Sequence, residues 1–75
     1  MKKFILEFKN NGGYWESEPG IIDSNLESEP IFNCFDSLEE ANDNIPESQV
    51  DIFRAVETDR PYTLEEFEAF VEEIS

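Results

Sequence analysis

Residues 49–75 read QVDIFRAVETDRPYTLEEFEAFVEEIS. An apolar, β-branched segment is followed by a Pro-containing turn and then a short amphipathic helix. At 100° per residue Leu64, Phe67, Phe70, Val71 and Ile74 fall on one arc of that helix. Glu65, Glu66, Glu68, Glu72 and Glu73 take the opposite arc. One face is suited to burial and the other is uniformly negative. Thr63 with Glu66 forms a capping box, which sets where the helix starts.

The segment before it, Gln49 to Val56, predicts a strand. Val50, Ile52 and Val56 lie on one face, with Phe53 and Ala55 on the other. Apolar residues on both faces predict an interior position in a sheet. Glu57 to Pro61 returns the chain to the helix. Upstream, Ser37 with Glu40 makes another capping box, opening a helix whose apolar edge is Leu38, Ala41 and Ile45. Asn42, Asp43 and Asn44 are poor helix formers and Pro46 stops it, so this helix is short.

The N-terminal half is extended in character. Lys2 to Lys9 alternates, with Phe4, Leu6 and Phe8 on one side and Lys3, Glu7 and Lys9 with Ile5 on the other. It holds three of the five basic residues, which predicts lysines that neutralise acids on a neighbouring strand and guard a sheet edge. Asn10-Asn11-Gly12-Gly13 is a turn signal because Asn-Gly and Gly-Gly accept positive φ. Tyr14 to Glu18 then reads as the returning hairpin strand. Trp15 is expected as a core or half-core residue, with an interface anchor as the other reading. Pro19-Gly20 turns the chain, Ile21 and Ile22 form a short extended piece, and Asp23 to Pro30 reads as a loop. Ile31 to Phe35 is extended, with Ile31, Asn33 and Phe35 on one side and Phe32 and Cys34 on the other.

The resulting fold class is α+β. A single small domain over residues 1–75 carries a three- or four-stranded mixed or antiparallel sheet in two layers. Two short helices pack on one face, and Ile31 to Val56 is placed for a right-handed crossover. At 75 residues the chain buries only about 60% of the surface of its unfolded form, so its stability is marginal.

Charge carries most of the functional reading. Nineteen acidic residues against five basic ones give a formal charge of −14. That is beyond the magnitude of about 2–8 that keeps a small domain soluble, and the surplus repels itself. It is also uneven: residues 36–75 hold thirteen acids and two bases. Direct nucleic-acid binding is disfavoured, since phosphate is repelled and no basic stripe exists. The chain has no histidine, which removes the commonest general base and transition-metal ligand. Cys34 is a lone thiol in an apolar stretch without an activating base, read as structural. No enzyme, cofactor or metal is expected. The run Asp23 to Glu29 alternates oxygen ligands as a calcium loop does, but lacks the glycine and the closing acid of one. A single cysteine, no export signal and no membrane span predict a cytoplasmic protein.

Glu65, Glu68 and Glu72 follow one another at rises of about 4.5 and 6 Å along the last helix. Duplex DNA presents a phosphate about every 3.4 Å along each strand. Glu65 and Glu66 are explained by the helix dipole, but Glu72 and Glu73 oppose it in the last turn. In size and composition, though in no aligned motif, the chain is similar to DNA-mimicking inhibitors of viral or mobile-element origin. The expectation is a binding protein that occludes the basic, nucleic-acid-binding surface of a partner protein. Its contact residues would be Glu65, Glu66, Glu68, Glu72 and Glu73 with Glu39, Glu40 and Asp43. The alternative is a structural or homodimerisation module whose acidity only solubilises it.

Overall fold

The computed structural model describes residues 2–21 and 30–74. Lys3–Lys9 forms β1, Trp15–Glu16 β2, Gly20–Ile21 β3, Ile31–Phe32 β4 and Phe53–Thr58 β5. The helices are α1 over Leu38–Asp43 and α2 over Leu64–Ile74, with one 3₁₀ turn at Glu47–Gln49. The fold is the small α+β class expected, with two helices and antiparallel strand pairing throughout. A three-stranded sheet runs in the order β2-β1-β5, and β3 and β4 pair as a separate ribbon. The run Asp23 to Glu29, with its resemblance to a calcium loop, lies outside the described residues, as does Ile22.

The β1–β2 turn forms as its residues dictate. Asn10 Oδ1 accepts from the backbone N–H of Gly12 at 2.9 Å and of Tyr14 at 3.0 Å, and Gly13 takes φ +83°. A side chain there would clash with its own backbone, which is why glycine occupies it.

β1 is the centre of the sheet, not its edge. In the β1–β5 register Leu6 lies opposite Ala55 and Phe8 opposite Phe53. Phe4, Leu6 and Phe8 therefore share a face with Phe53 and Ala55, and α1 lies against β1 and β5. Leu6, Ile21, Phe35 and Ala41 are the buried core there, with Phe4, Ile45, Phe53 and Ala55 packed on them. The lysines still do part of what was expected: Lys2 pairs with Glu57 on β5 at 3.7 Å, and Lys3 pairs with Asp36.

The other edge of β1 is completed by three different devices. Phe4 exchanges backbone hydrogen bonds with Phe35, at 3.0 and 2.9 Å. Phe8 lies opposite Glu16 on β2. Between them Leu6 has no strand beside it, and the side chain of Asn33 takes that place. Asn33 Oδ1 accepts from the Leu6 N–H at 2.7 Å, and its Nδ2 donates to the Leu6 carbonyl at 2.9 Å. Nδ2 also donates to the Glu18 carbonyl at 2.9 Å, and the Asn33 N–H donates to Pro19 at 2.9 Å. Asn33 is fully buried. Buried backbone groups must be paired, and here a side-chain amide does the work of a peptide.

Four expectations are corrected. The segment from Gln49 does not start as a strand: Glu47–Gln49 curls into a 3₁₀ turn, and the Ile52 N–H donates to the Gln49 carbonyl at 3.1 Å. The strand begins at Phe53 and runs through to Thr58. It is an edge strand and not an interior one, since it pairs only with β1 in the order β2-β1-β5; apolar residues on both faces of a strand say nothing of its neighbours within the sheet. The crossover from Ile31 to Val56 does not form, since β4 and β5 belong to different sheets. Finally, the helices rest on different supports. α1 lies on β1 and β5, while α2 packs mainly on β3, with Phe67 stacked on Phe32 at a centroid distance of 5.3 Å.

Candidate functional site

The two capping boxes anchor both acidic helices. Thr63 Oγ1 accepts from the Glu66 N–H and Glu66 Oε1 accepts from the Thr63 N–H, each at 3.1 Å. At α1, Ser37 Oγ accepts from the Glu40 N–H at 3.1 Å. The returning bond from Glu40 Oε2 reaches the N–H of Asp36 at 3.3 Å, one residue earlier than in the reciprocal box. Both helix starts are thereby fixed, and with them the directions in which the later carboxylates leave.

Glu39, Glu40 and Asp43 on α1 and Glu65, Glu66, Glu68, Glu72 and Glu73 on α2 are all exposed. Neither helix has a basic residue in its last turn. Among the described residues the three ion pairs are Lys2–Glu57, Lys3–Asp36 and Arg54–Glu7, the last at 2.7 Å. None involves one of the eight helix carboxylates. Arg54 also lies 4.3 Å above the ring of Trp15, which is half-buried beneath it. The Lys3 ammonium is held above its ordinary pKa, first by its hydrogen bond to Asp36 and then by the charge of that carboxylate. Three of the five cations thus pair with acids outside the two helices, and among these only Lys3 also feels a helix carboxylate, that of Glu40.

Because α1 and α2 rest on different supports, their acids are two sets rather than one continuous sheet-backed surface. The α2 set is the denser: five glutamates in an eleven-residue helix. The apolar face of α2 is only partly covered. Phe67 and Phe70 close over Gly20, where an added Cβ would lie 3.0 Å from Phe67 and 3.2 Å from Phe70. Leu64 and Ile74, at the two ends of the stripe, are 57% and 45% exposed. An accessible apolar residue thus sits at each end of the glutamate array.

Among the described residues no group of three or more ligating side chains is placed to hold a metal ion. Cys34 is free and half-buried. Tyr62, just ahead of α2, shares a 2.8 Å hydrogen bond between hydroxyls with Ser17, and Tyr14 is exposed at the hairpin turn. No helix among the described residues is long and apolar enough to cross a membrane. Comparison with protein-family models, with curated proteins and with solved structures finds no match to this chain.

Proposed function

We propose that this protein binds and occludes the basic, nucleic-acid-binding surface of a partner protein, acting by stoichiometry rather than by catalysis. One observation carries the reading: among the described residues none of the eight exposed carboxylates on the two capped helices forms an ion pair, and of the eight only Glu40 contributes to the raised pKa of Lys3. A local cost in repulsion and in opposition to the α2 dipole, without local relief, fits a surface kept for an external cation. Glu65, Glu68 and Glu72 rise along α2 in steps of about 4.5 and 6 Å, on the same scale of a few ångströms as the phosphate repeat of a strand but wider than it. Charge complementarity provides fast, salt-sensitive association, while Leu64 and Ile74 add apolar contact. A cytoplasmic setting agrees with a chain whose one cysteine is free.

The test is competition. Proteins of the host that bind heparin are loaded on immobilised wild-type protein, washed, and challenged with duplex DNA. The reading expects bound protein to be released by duplex, and a variant with the five α2 glutamates changed to glutamine to retain none of it. Retention that duplex cannot displace, or that the variant keeps, contradicts it. A second reading, a homodimerisation module, is favoured by the exposure of Leu38, Val50, Ile52, Leu64 and Ile74. It requires a dimer whose mass is unchanged by salt, whereas occlusion requires a monomer.

A further inference from the structure

The turn between β1 and β2 carries a reactive dipeptide that the helix surfaces do not use. Of the asparagines in the chain, Asn11 alone is followed by glycine. Asn11 and Gly12 are both exposed, so water and hydroxide reach them. Gly12 has no Cβ, and its nitrogen approaches the preceding side-chain amide without the hindrance that any other residue would bring. Bond formation between the Gly12 nitrogen and Asn11 Cγ closes a succinimide ring. The chemistry balances with water alone. The Gly12 N–H gives its proton to solvent base and the nitrogen attacks Asn11 Cγ. The Cγ–Nδ2 bond breaks, and Nδ2 takes a proton from solvent and leaves as ammonia. Water then opens the ring at either carbonyl, to aspartate or to isoaspartate.

The proton that must leave first is held. Asn10 Oδ1 accepts from the Gly12 N–H at 2.9 Å and from the Tyr14 N–H at 3.0 Å, while the Gly13 N–H donates to the Asn10 carbonyl at 3.0 Å. An amide proton in a hydrogen bond is released to solvent only when that bond opens. We propose that Asn11 is a site of spontaneous deamidation and that the Asn10 side chain sets its rate by holding the Gly12 N–H. The site does not depend on the occlusion reading. Its consequence is local: isoaspartate adds a methylene to the main chain inside the turn. Each of those three bonds spans the lengthened link, as does the bond from the Asn10 N–H to the Tyr14 carbonyl at 2.8 Å. β2 is only Trp15–Glu16, so little else holds the returning strand in register with Phe8 and Lys9.

The full chain is kept folded in mildly alkaline buffer made with ¹⁸O-water, sampled over time, and mapped by peptide mass spectrometry with electron-transfer fragmentation. Label is expected at Asn11 ahead of every other asparagine, as a mixture of aspartate and isoaspartate. Asn10→Ala should raise the rate at least about twofold, the smallest effect that one hydrogen bond supplies, and urea should erase the difference from wild type. Gly12→Ala should suppress the reaction; its Cβ would lie 3.3 Å from the ring of Tyr14, which is 74% exposed and can move aside. Exchange of the Lys9 amide, bonded to the Ile52 carbonyl, reports whether each variant keeps its sheet. If Asn10→Ala loses it, Asn10→Asp decides, since it keeps an acceptor oxygen: a slower rate in buffer than in urea supports the proposal, and equal rates overturn it. Label at other asparagines before Asn11, or equal rates in buffer for wild type and a folded Asn10→Ala, also overturns it.

Discussion

Replacing Asn33 by alanine removes the side-chain bonds to the Leu6 N–H, the Leu6 carbonyl and the Glu18 carbonyl in one step. Glu18 is exposed, so water replaces its lost partner at little cost. Leu6 is 1% exposed, and its two backbone groups are left facing a void. Each buried group left unsatisfied costs about 1–3 kcal/mol. A water admitted to so polar a site recovers part of this, which puts the loss at about 3 kcal/mol. A domain of this length holds about 4–11 kcal/mol in total, so a single amide accounts for a large fraction. The assay is urea unfolding followed by the fluorescence of the single tryptophan, Trp15. With an m-value of about 1 kcal/mol/M for so small a chain, the midpoint should fall by about 3 M with m unchanged. Hydrogen exchange localises the effect. The Leu6 amide should lose its protection beyond the global loss, whereas Lys9, bonded to the Ile52 carbonyl at 2.8 Å, should not. Asn33→Asp keeps the acceptor for the Leu6 N–H but sets a carboxylate against two carbonyl oxygens. Its folded pKa is then raised, so the variant should regain stability as pH falls. A loss below about 1 kcal/mol in Asn33→Ala would refute the view that this side chain completes the sheet.

Other consequences follow from the same packing and charges. Gly20→Ala places a methyl 3.0 Å from Phe67, and overpacking of this kind should cost about 1 kcal/mol and shift α2 resonances in NMR spectra. Changing Glu72 and Glu73 to glutamine should raise stability by about 0.3 kcal/mol each at low salt, measured by thermal unfolding, because both oppose the α2 dipole; the gain should shrink in high salt. The Lys3–Asp36 pair raises the folded pKa of Lys3. Its stabilisation is therefore complete below the unfolded value of about 10.4 and is lost as pH rises through the folded value. The difference in melting temperature between wild type and Lys3→Gln should accordingly persist at neutral pH and vanish in strong alkali.

What the sequence disclosed depended on range. The capping residues Ser37, Glu40, Thr63 and Glu66 and the Asn10 to Gly13 turn act within four residues, and all formed as read except that the Glu40 carboxylate bonds the N–H of Asp36 instead of Ser37. The alternation of Ile31, Asn33 and Phe35 was legible in part: Asn33 and Phe35 are buried, whereas Ile31 at the start of the run is exposed. What Asn33 does there was not, because its partner, Leu6, is 27 residues away. The same limit hid the central place of β1, which depends on Phe35 and β5 flanking it. Val50 and Ile52 suggested strand by composition, yet they are 59% and 44% exposed in the turn that follows the 3₁₀ segment. Glu39, Asp43 and the α2 glutamates were legible as exposed because helical period alone puts them opposite the apolar stripe.

On the proposed function, a basic partner recognises the α2 carboxylates as a patterned anionic surface. The most direct measurement of that recognition is the affinity for a captured DNA-binding protein as a function of salt, for wild type and for the variant with Glu65, Glu66, Glu68, Glu72 and Glu73 changed to glutamine. Wild-type affinity should fall steeply between about 0.05 and 0.2 M salt, with a much shallower slope and weaker binding for the variant. Equal affinities and equal slopes for the two proteins would contradict it.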